Sequence, residues 1–103
     1  MSYNVPAYAS AAISAASNGD NTLISGVAGK TIRIYKVAFT LAAGTVTFKD
    51  GASISLTGAM SASAGVLEST DGSPLWTITA GNDFRANLSG TNQLSGCVWF
   101  EQS

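Results

Sequence analysis

The chain has 103 residues, the size of one domain, and carries only five basic and six acidic side chains, for a net charge of −1. Its charged fraction of 11% is less than half of the ~25% usual in globular domains, which favours a protein packed against others over a lone monomer. With no His and one Cys, the chain lacks the residues for Ser-His or Cys-His catalysis, for a His- or Cys-rich metal site and for an internal disulfide.

Glycine spacing and residue alternation predict an all-β chain. Small polar and apolar residues alternate between regularly spaced glycines, and Gly adopts positive φ at little steric cost, so a turn is expected after each short strand. The glycines of this series are Gly44, Gly51, Gly58, Gly65 and Gly72, followed by Gly81 and Gly90.

The first half of the chain is predicted to hold an arm and three strands. Residues 1–8 lack periodicity and are expected to form an extended arm, and residues 9–103 a single domain. Alternation predicts strands over 9–16 and 22–27, separated by a turn at 18–21. The longest predicted strand covers 30–41, and its apolar residues change phase near Tyr35 and Lys36. That change predicts a β-bulge or a passage between two packing environments.

The second half continues the same pattern. Asp50-Gly51 is a strong hairpin signal. The further predicted strands are centred on residues 46–48, 54–56, 66–69, 76–78, 84–88 and 97–101. About eight strands at this spacing predict a jelly-roll-like antiparallel β-sandwich.

Residue patterns that could carry chemistry are weak. Gly26–Thr31 ends like a phosphate-binding loop, but Ile24 stands where that loop needs Gly, and a strand rather than a helix is predicted to follow. Lys30, Arg33 and Lys36 are expected to lie on a solvated strand face, because nucleic-acid binding needs a denser basic patch. Cys97 is expected to be a small buried residue. We therefore predict no enzymatic activity, no metal and no cofactor.

The two tryptophans leave two interpretations open. Trp76 and Trp99 each fit a core anchor, and each also fits a surface aromatic used for subunit contact or for stacking on a sugar. The N-terminus shows neither the basic leader and apolar core of a signal peptide nor a membrane span, so synthesis in a reducing cytoplasm is expected.

Several segments together resemble small jelly-roll virion proteins of tailed bacteriophages, of the capsid cement or decoration type. The resemblance covers residues 10–101 and rests on turn and strand motifs. The segments are Ile13–Ala15, Gly19–Ile24, Gly29–Ile34, Leu56–Met60, Pro74–Trp76, Ala80–Gly81, Asn87–Gly90 and Gly96–Val98.

The resemblance implies a homotrimer on the outer capsid surface that binds the major capsid protein and stabilises the shell, with no nucleic-acid or membrane partner. The alternative is a tail-fibre or receptor-binding module that recognises a host-surface glycan. The N-terminal arm is the expected capsid contact. Its candidate contact residues are Tyr3, Val5, Pro6 and Tyr8.

Overall fold

The computed structural model describes residues 8–61 and 63–103, and within these ranges the chain forms nine β-strands and no helix. The all-β prediction is confirmed. The strands are β1 (Ala9–Ala15), β2 (Gly19–Ile24), β3 (Ile32–Leu41), β4 (Val46–Asp50), β5 (Ile54–Ser55), β6 (Ala64–Glu68), β7 (Trp76–Thr77), β8 (Phe84–Leu88) and β9 (Leu94–Gln102).

The strands form two antiparallel sheets. One sheet has the order β1-β9-β3-β6, with β7 also paired to β3, and the other has the order β2-β8-β4-β5. Without β7, the first strand pairs with the last, the second with the second-last, and so on inwards to the β4–β5 hairpin. This is the strand order of a jelly roll. The predicted sandwich is confirmed, and the two-residue β7 lies within the segment 76–78, for which alternation predicts a strand.

The phase change in β3 is a β-bulge. The pairing of β3 with β9 shifts register between Ile34 and Lys36. One extra residue on the bulged strand reverses the alternation. As a result Ile32 and Ile34 before the bulge, and Val37 and Phe39 after it, all lie buried in the same core.

Aromatic rings fill the centre of the core between the two sheets. The Phe48 ring lies 5.5 Å from Phe39, 5.7 Å from Phe84 and 5.9 Å from Trp76, measured between ring centroids. Phe48 and Phe84 are fully buried. These contacts join β3 and β7 of one sheet to β4 and β8 of the other, so the aromatic cluster fixes how the sheets pack.

Some glycines of the seven-residue series form turns, but the prediction is wrong at Gly65. Gly51 follows β4 with a φ of 64°, as a turn residue. Gly65 instead lies inside β6, where a Cβ would come 2.7 Å from Cζ of Phe39. Gly96 in β9 is similarly constrained, because its Cβ would come 1.9 Å from the Ala38 carbonyl oxygen. Both glycines pair with Phe39, one on each side.

The predicted turn at 18–21 is also wrong, because β2 already begins at Gly19. Gly19 has a φ of 91° and completes the reversal at the start of the strand. Asn21 lies within the strand, opposite Ala86. Its side-chain amide donates hydrogen bonds to the carbonyls of Ser17 and Gly19, so a residue expected to form the turn stabilises it from the neighbouring strand.

Candidate functional site

The outer face of the β1-β9-β3-β6 sheet is almost free of charge across its middle. Strand pairing places Ala12 opposite Cys97, Cys97 opposite Ala38, and Ala38 opposite Val66. The next row along the strands consists of Ser14, Ser95, Thr40 and Ala64. We call these eight residues the small-residue face. Val66 is the most protruding apolar residue there, with 62% of its surface exposed.

The edge strand beside this face lacks the usual protection against pairing with another chain. Within the described residues, β1 pairs with β9 on one side only. Its seven residues include no charge, no Pro and no bulge, although edge strands normally carry such features. The edges of the other sheet differ: β2 carries Asp20 and a register shift after Thr22, and β5 has only two residues.

The outer face of the other sheet carries a connected charge network, which we call the charged face. Asp20 on β2 accepts hydrogen bonds from the Asn87 amide at 2.7 Å and the Lys49 ammonium at 3.3 Å. Arg85 lies 3.4 Å from Asp20 and 3.2 Å from Asp83. The Asn87 hydrogen bond lowers the pKa of Asp20 most; burial opposes the shift, and Lys49 reinforces it. These groups pair with one another across three strands, although the buried Arg85 Nε has no hydrogen-bond partner among the described residues.

Asp50, and Asp83 through a second contact, join loops at one end of the sandwich. Asp50 is 4% exposed and accepts hydrogen bonds from the Thr79 backbone amide, the Thr79 hydroxyl and the Asn82 side-chain amide. Burial acts to raise the pKa of Asp50, but these three donors outweigh it and leave the pKa below its ordinary value. Asp83 accepts a 2.6 Å hydrogen bond from the Gly26 amide, which lowers its pKa. Both are structural contacts.

An open groove of about 290 Å³ lies where the small-residue face meets the bulge of β3. We call it the aromatic groove, and its lining residues are Tyr8, Tyr35, Lys36, Glu68, Ser69, Gly72 and Trp99. The Lys36 ammonium lies 5.0 Å from the Trp99 ring centroid and 3.4 Å from the Glu68 carboxylate. Tyr8 and Tyr35 stack with their centroids 4.3 Å apart.

The Tyr35 hydroxyl fixes one wall of the aromatic groove. It donates a hydrogen bond of 2.5 Å to the Glu101 carboxylate. That bond, with burial and the negative charge of Glu101, raises the pKa of Tyr35 to about 12. The phenol is therefore protonated throughout the neutral range, and its orientation is set by the carboxylate.

The structure separates the two tryptophans. Trp76 packs against Phe48 and Phe84 in the core, with centroids 5.9 Å apart in both cases. Trp99 lies on the outer face and lines the aromatic groove. The core interpretation therefore describes Trp76, and the surface interpretation describes Trp99. Their sequence contexts did not assign them, because Trp76 lies between Leu75 and Thr77 and Trp99 lies between Val98 and Phe100, so each adjoins another large apolar residue.

The other candidate residues lie in different places. Tyr3, Val5 and Pro6 of the expected capsid-contact arm lie outside the described residues, whereas Tyr8 stacks on Tyr35. Cys97 was expected to be buried, but it is only partly buried and lies at the centre of the small-residue face. The reason is that successive side chains of β9 point to opposite faces of the sheet, so Val98 points into the core and Cys97 points outwards.

Sequence reasoning did not find the groove itself. The sequence predicts a solvated strand face for Lys36 and indicates no role for Glu68. The available signal was the phase change at Tyr35 and Lys36, because a bulge turns two successive residues towards the outside. Their partners come from β6 and β9, whose pairing with β3 is not visible in the sequence.

Neither a metal-ligand cluster among the described residues nor a similar protein adds to this description. Among residues 8–61 and 63–103, no three Cys, Asp or Glu side chains converge as metal ligands. The same part of the chain includes no helix able to cross a membrane. No known protein family, curated protein or solved structure matches the chain.

Proposed function

We propose that the protein is a structural component of a bacteriophage virion, a capsid decoration protein that binds the outer shell as a homotrimer and stabilises it. The observation that carries this proposal is the uncharged small-residue face beside the unprotected edge of β1. Such a surface fits burial against another polypeptide better than permanent exposure. The proposal that this other polypeptide belongs to a phage capsid comes from the sequence resemblance to phage cement proteins.

We assign the small-residue face and the β1 edge to contact with a sister subunit. Small side chains lose little conformational entropy when they are buried, and a face with no charge has no charged group to desolvate. The groups of the charged face pair with one another, apart from the Arg85 Nε, and this face suits contact with solvent. Attachment that occurs only on the assembled shell stabilises that shell through binding linkage.

The N-terminal arm, residues 1–8, is the proposed contact with the major capsid protein. Tyrosines supply large contact area at low entropic cost; of the two in the arm, Tyr8 stacks on Tyr35, so Tyr3 is the tyrosine proposed to contact the capsid. Deleting residues 1–7 retains Tyr8 and its stacking on Tyr35. We expect the truncated protein to remain a trimer and to occupy fewer sites on undecorated capsids than the full chain.

The proposal is tested by locating the protein in intact virions with a specific antibody and electron microscopy. Labelling distributed over the capsid surface supports a decoration protein. Labelling confined to the tail tip would contradict it and would favour the receptor-binding alternative. In parallel, light scattering on purified protein should give a mass near three times 10.4 kDa, and a monomer at micromolar concentration would contradict the trimer.

A further inference from the structure

We propose that the aromatic groove binds one pyranose ring of a neutral saccharide. This inference goes beyond the proposed decoration function and does not depend on where in the virion the protein lies. It rests on three features of the groove: its size, its aromatic walls, and the paired state of its charges.

The size fits a single sugar ring. The groove encloses about 290 Å³, close to the lower end of the ~300–1,000 Å³ range of small-molecule sites. Trp99, Lys36 and Glu68 form one cross-strand row at its base, because Lys36 pairs with both of the others. The stacked Tyr8 and Tyr35 line the groove as well. The base therefore stands on three paired strands and is rigid.

The groove offers the two kinds of contact that a sugar needs. A pyranose has an apolar C–H face that packs on an aromatic ring, and hydroxyls that both donate and accept hydrogen bonds. Trp99 and the two tyrosines supply aromatic surface. Glu68 can accept from a sugar hydroxyl and Lys36 can donate to one, and Ser69, whose hydroxyl donates to Asp71, can accept.

The charges favour a neutral ligand. Lys36 is paired with Glu68, and the second carboxylate nearby, Glu101, accepts the Tyr35 hydroxyl. An acidic ligand would have to draw Lys36 away from Glu68 and would face the negative charge of Glu101. A cationic ligand would compete with Lys36, which already lies over the Trp99 ring. A neutral ring that bears hydroxyls can add hydrogen bonds without separating Lys36 from Glu68 or Tyr35 from Glu101, and on Trp99 it would pack beside the Lys36 ammonium.

The two tryptophans provide a direct experiment. In the Trp76→Phe variant the single remaining indole is Trp99, so its fluorescence reports on the groove alone. The probes are glucose, galactose, mannose and N-acetylglucosamine, with N-acetylneuraminic acid as the acidic comparison. We expect at least one neutral sugar to give a saturable change in Trp99 emission, and the acidic sugar to bind more weakly than that neutral sugar.

Variants at Trp99 in the otherwise wild-type chain are compared by saturation-transfer NMR with the sugar that binds. Trp99→Ala should raise the Kd about tenfold, because the variant loses the aromatic surface on which the sugar packs. Trp99→Phe keeps an aromatic face and should retain most of the binding. Trp76→Phe should leave binding unchanged, because Trp76 packs in the core.

Three results would overturn the proposal: no saturable response to any neutral sugar, equal binding by the Trp99→Ala variant and the wild type, or tighter binding of the acidic sugar. A fall in oligomer mass in Trp99→Ala without any sugar binding would assign the groove to a sister subunit instead. Failure here leaves the antibody labelling of virions unaffected, so the two proposals can fail separately.

Discussion

The two outer faces of the sandwich differ in charge across their middle. On the charged face, Asp20 forms ion pairs with Lys49 and Arg85 across three strands. On the small-residue face, the corresponding middle positions are Ala12, Cys97 and Ala38. A protein with only 11% charged residues thus carries a charge network across the middle of one sheet, whereas on the other sheet the charges lie away from the middle, as Lys36 and Glu68 do at the aromatic groove. This difference is the reason for assigning the sheet with the uncharged middle to subunit contact in the proposed trimer.

Placing a charge on the small-residue face should have the largest effect. In Val66→Glu the new carboxylate is solvated in the monomer, since Val66 is 62% exposed, but it would be buried in the proposed trimer. An unpaired buried charge costs on the order of several kcal/mol. Light scattering should therefore show the mass fall to that of a folded monomer, with the β-sheet circular dichroism retained.

The matched control for this variant is Thr22→Glu on the charged face. Thr22 is exposed and lies opposite Arg85 in the register of β2 and β8, and its side chain also contacts Asp83, so the added carboxylate is solvated and lies beside both a cation and a carboxylate. The mass should not change. If Thr22→Glu dissociated the oligomer and Val66→Glu did not, the roles of the two faces would be reversed.

Gly96→Ala tests the packing beneath the small-residue face. The added Cβ would come 1.9 Å from the Ala38 carbonyl oxygen, and Gly96 has a φ of 152°. Strand β9 would have to move away from β3, and we expect a loss of about 3 kcal/mol in the free energy of unfolding. Gly58→Ala is the control, because a Cβ there meets nothing within 4 Å. Denaturant unfolding measures both, and equal stabilities would contradict the packing argument.

Asp50→Asn should be less costly, about 2 kcal/mol, because the new amide faces the donors of Thr79 and Asn82. The pH dependence should change as well. The folded-state pKa of Asp50 lies below the ordinary value of 3.8. Its stabilising contribution is therefore complete above that value and is lost as the pH falls through the lower, folded-state pKa. The melting temperature of the variant should fall less steeply below pH ~4 than that of the wild type. Parallel curves would contradict a role for this ionisation.

Asp20→Asn on the charged face should have the smallest effect. Its partners Lys49 and Arg85 remain partly exposed, and exposed ion pairs contribute about 0.2–1 kcal/mol. We expect a change of that size in the free energy of unfolding, an unchanged oligomer mass and little effect at high salt. Dissociation of the oligomer by Asp20→Asn would place the charged face in the interface.

The sequence was sufficient for the sandwich and for the phase change in β3, because both follow from alternation within one segment. The phase change between Ile34 and Val37 predicted either a bulge or a passage between two packing environments, and the structure has the bulge. The roles of Gly65 and Gly96 were not accessible, since they depend on the Phe39 ring and the Ala38 carbonyl of a neighbouring strand.

The candidate sites were less accessible than the fold for the same reason. The small-residue face joins residues from β1, β9, β3 and β6, and its lack of charge becomes visible only after these strands are placed side by side. The aromatic groove joins Tyr8 to Trp99 and Glu68 from distant parts of the chain. The local pattern could not distinguish Trp76 from Trp99, because it does not show that the Trp76 side chain points towards the core and the Trp99 side chain points away from it.

Cys97 gives the most direct test of the central claim that the small-residue face is buried by self-association. It is the only thiol in the chain and lies at the centre of that face. The measurement is the rate of Cys97 alkylation by a maleimide over a dilution series, with the mass followed by light scattering. Slow alkylation in the oligomer, rising as the mass falls towards 10.4 kDa, is the predicted result. An alkylation rate that stays constant while the oligomer dissociates would show that this face is exposed in both states and would contradict the claim.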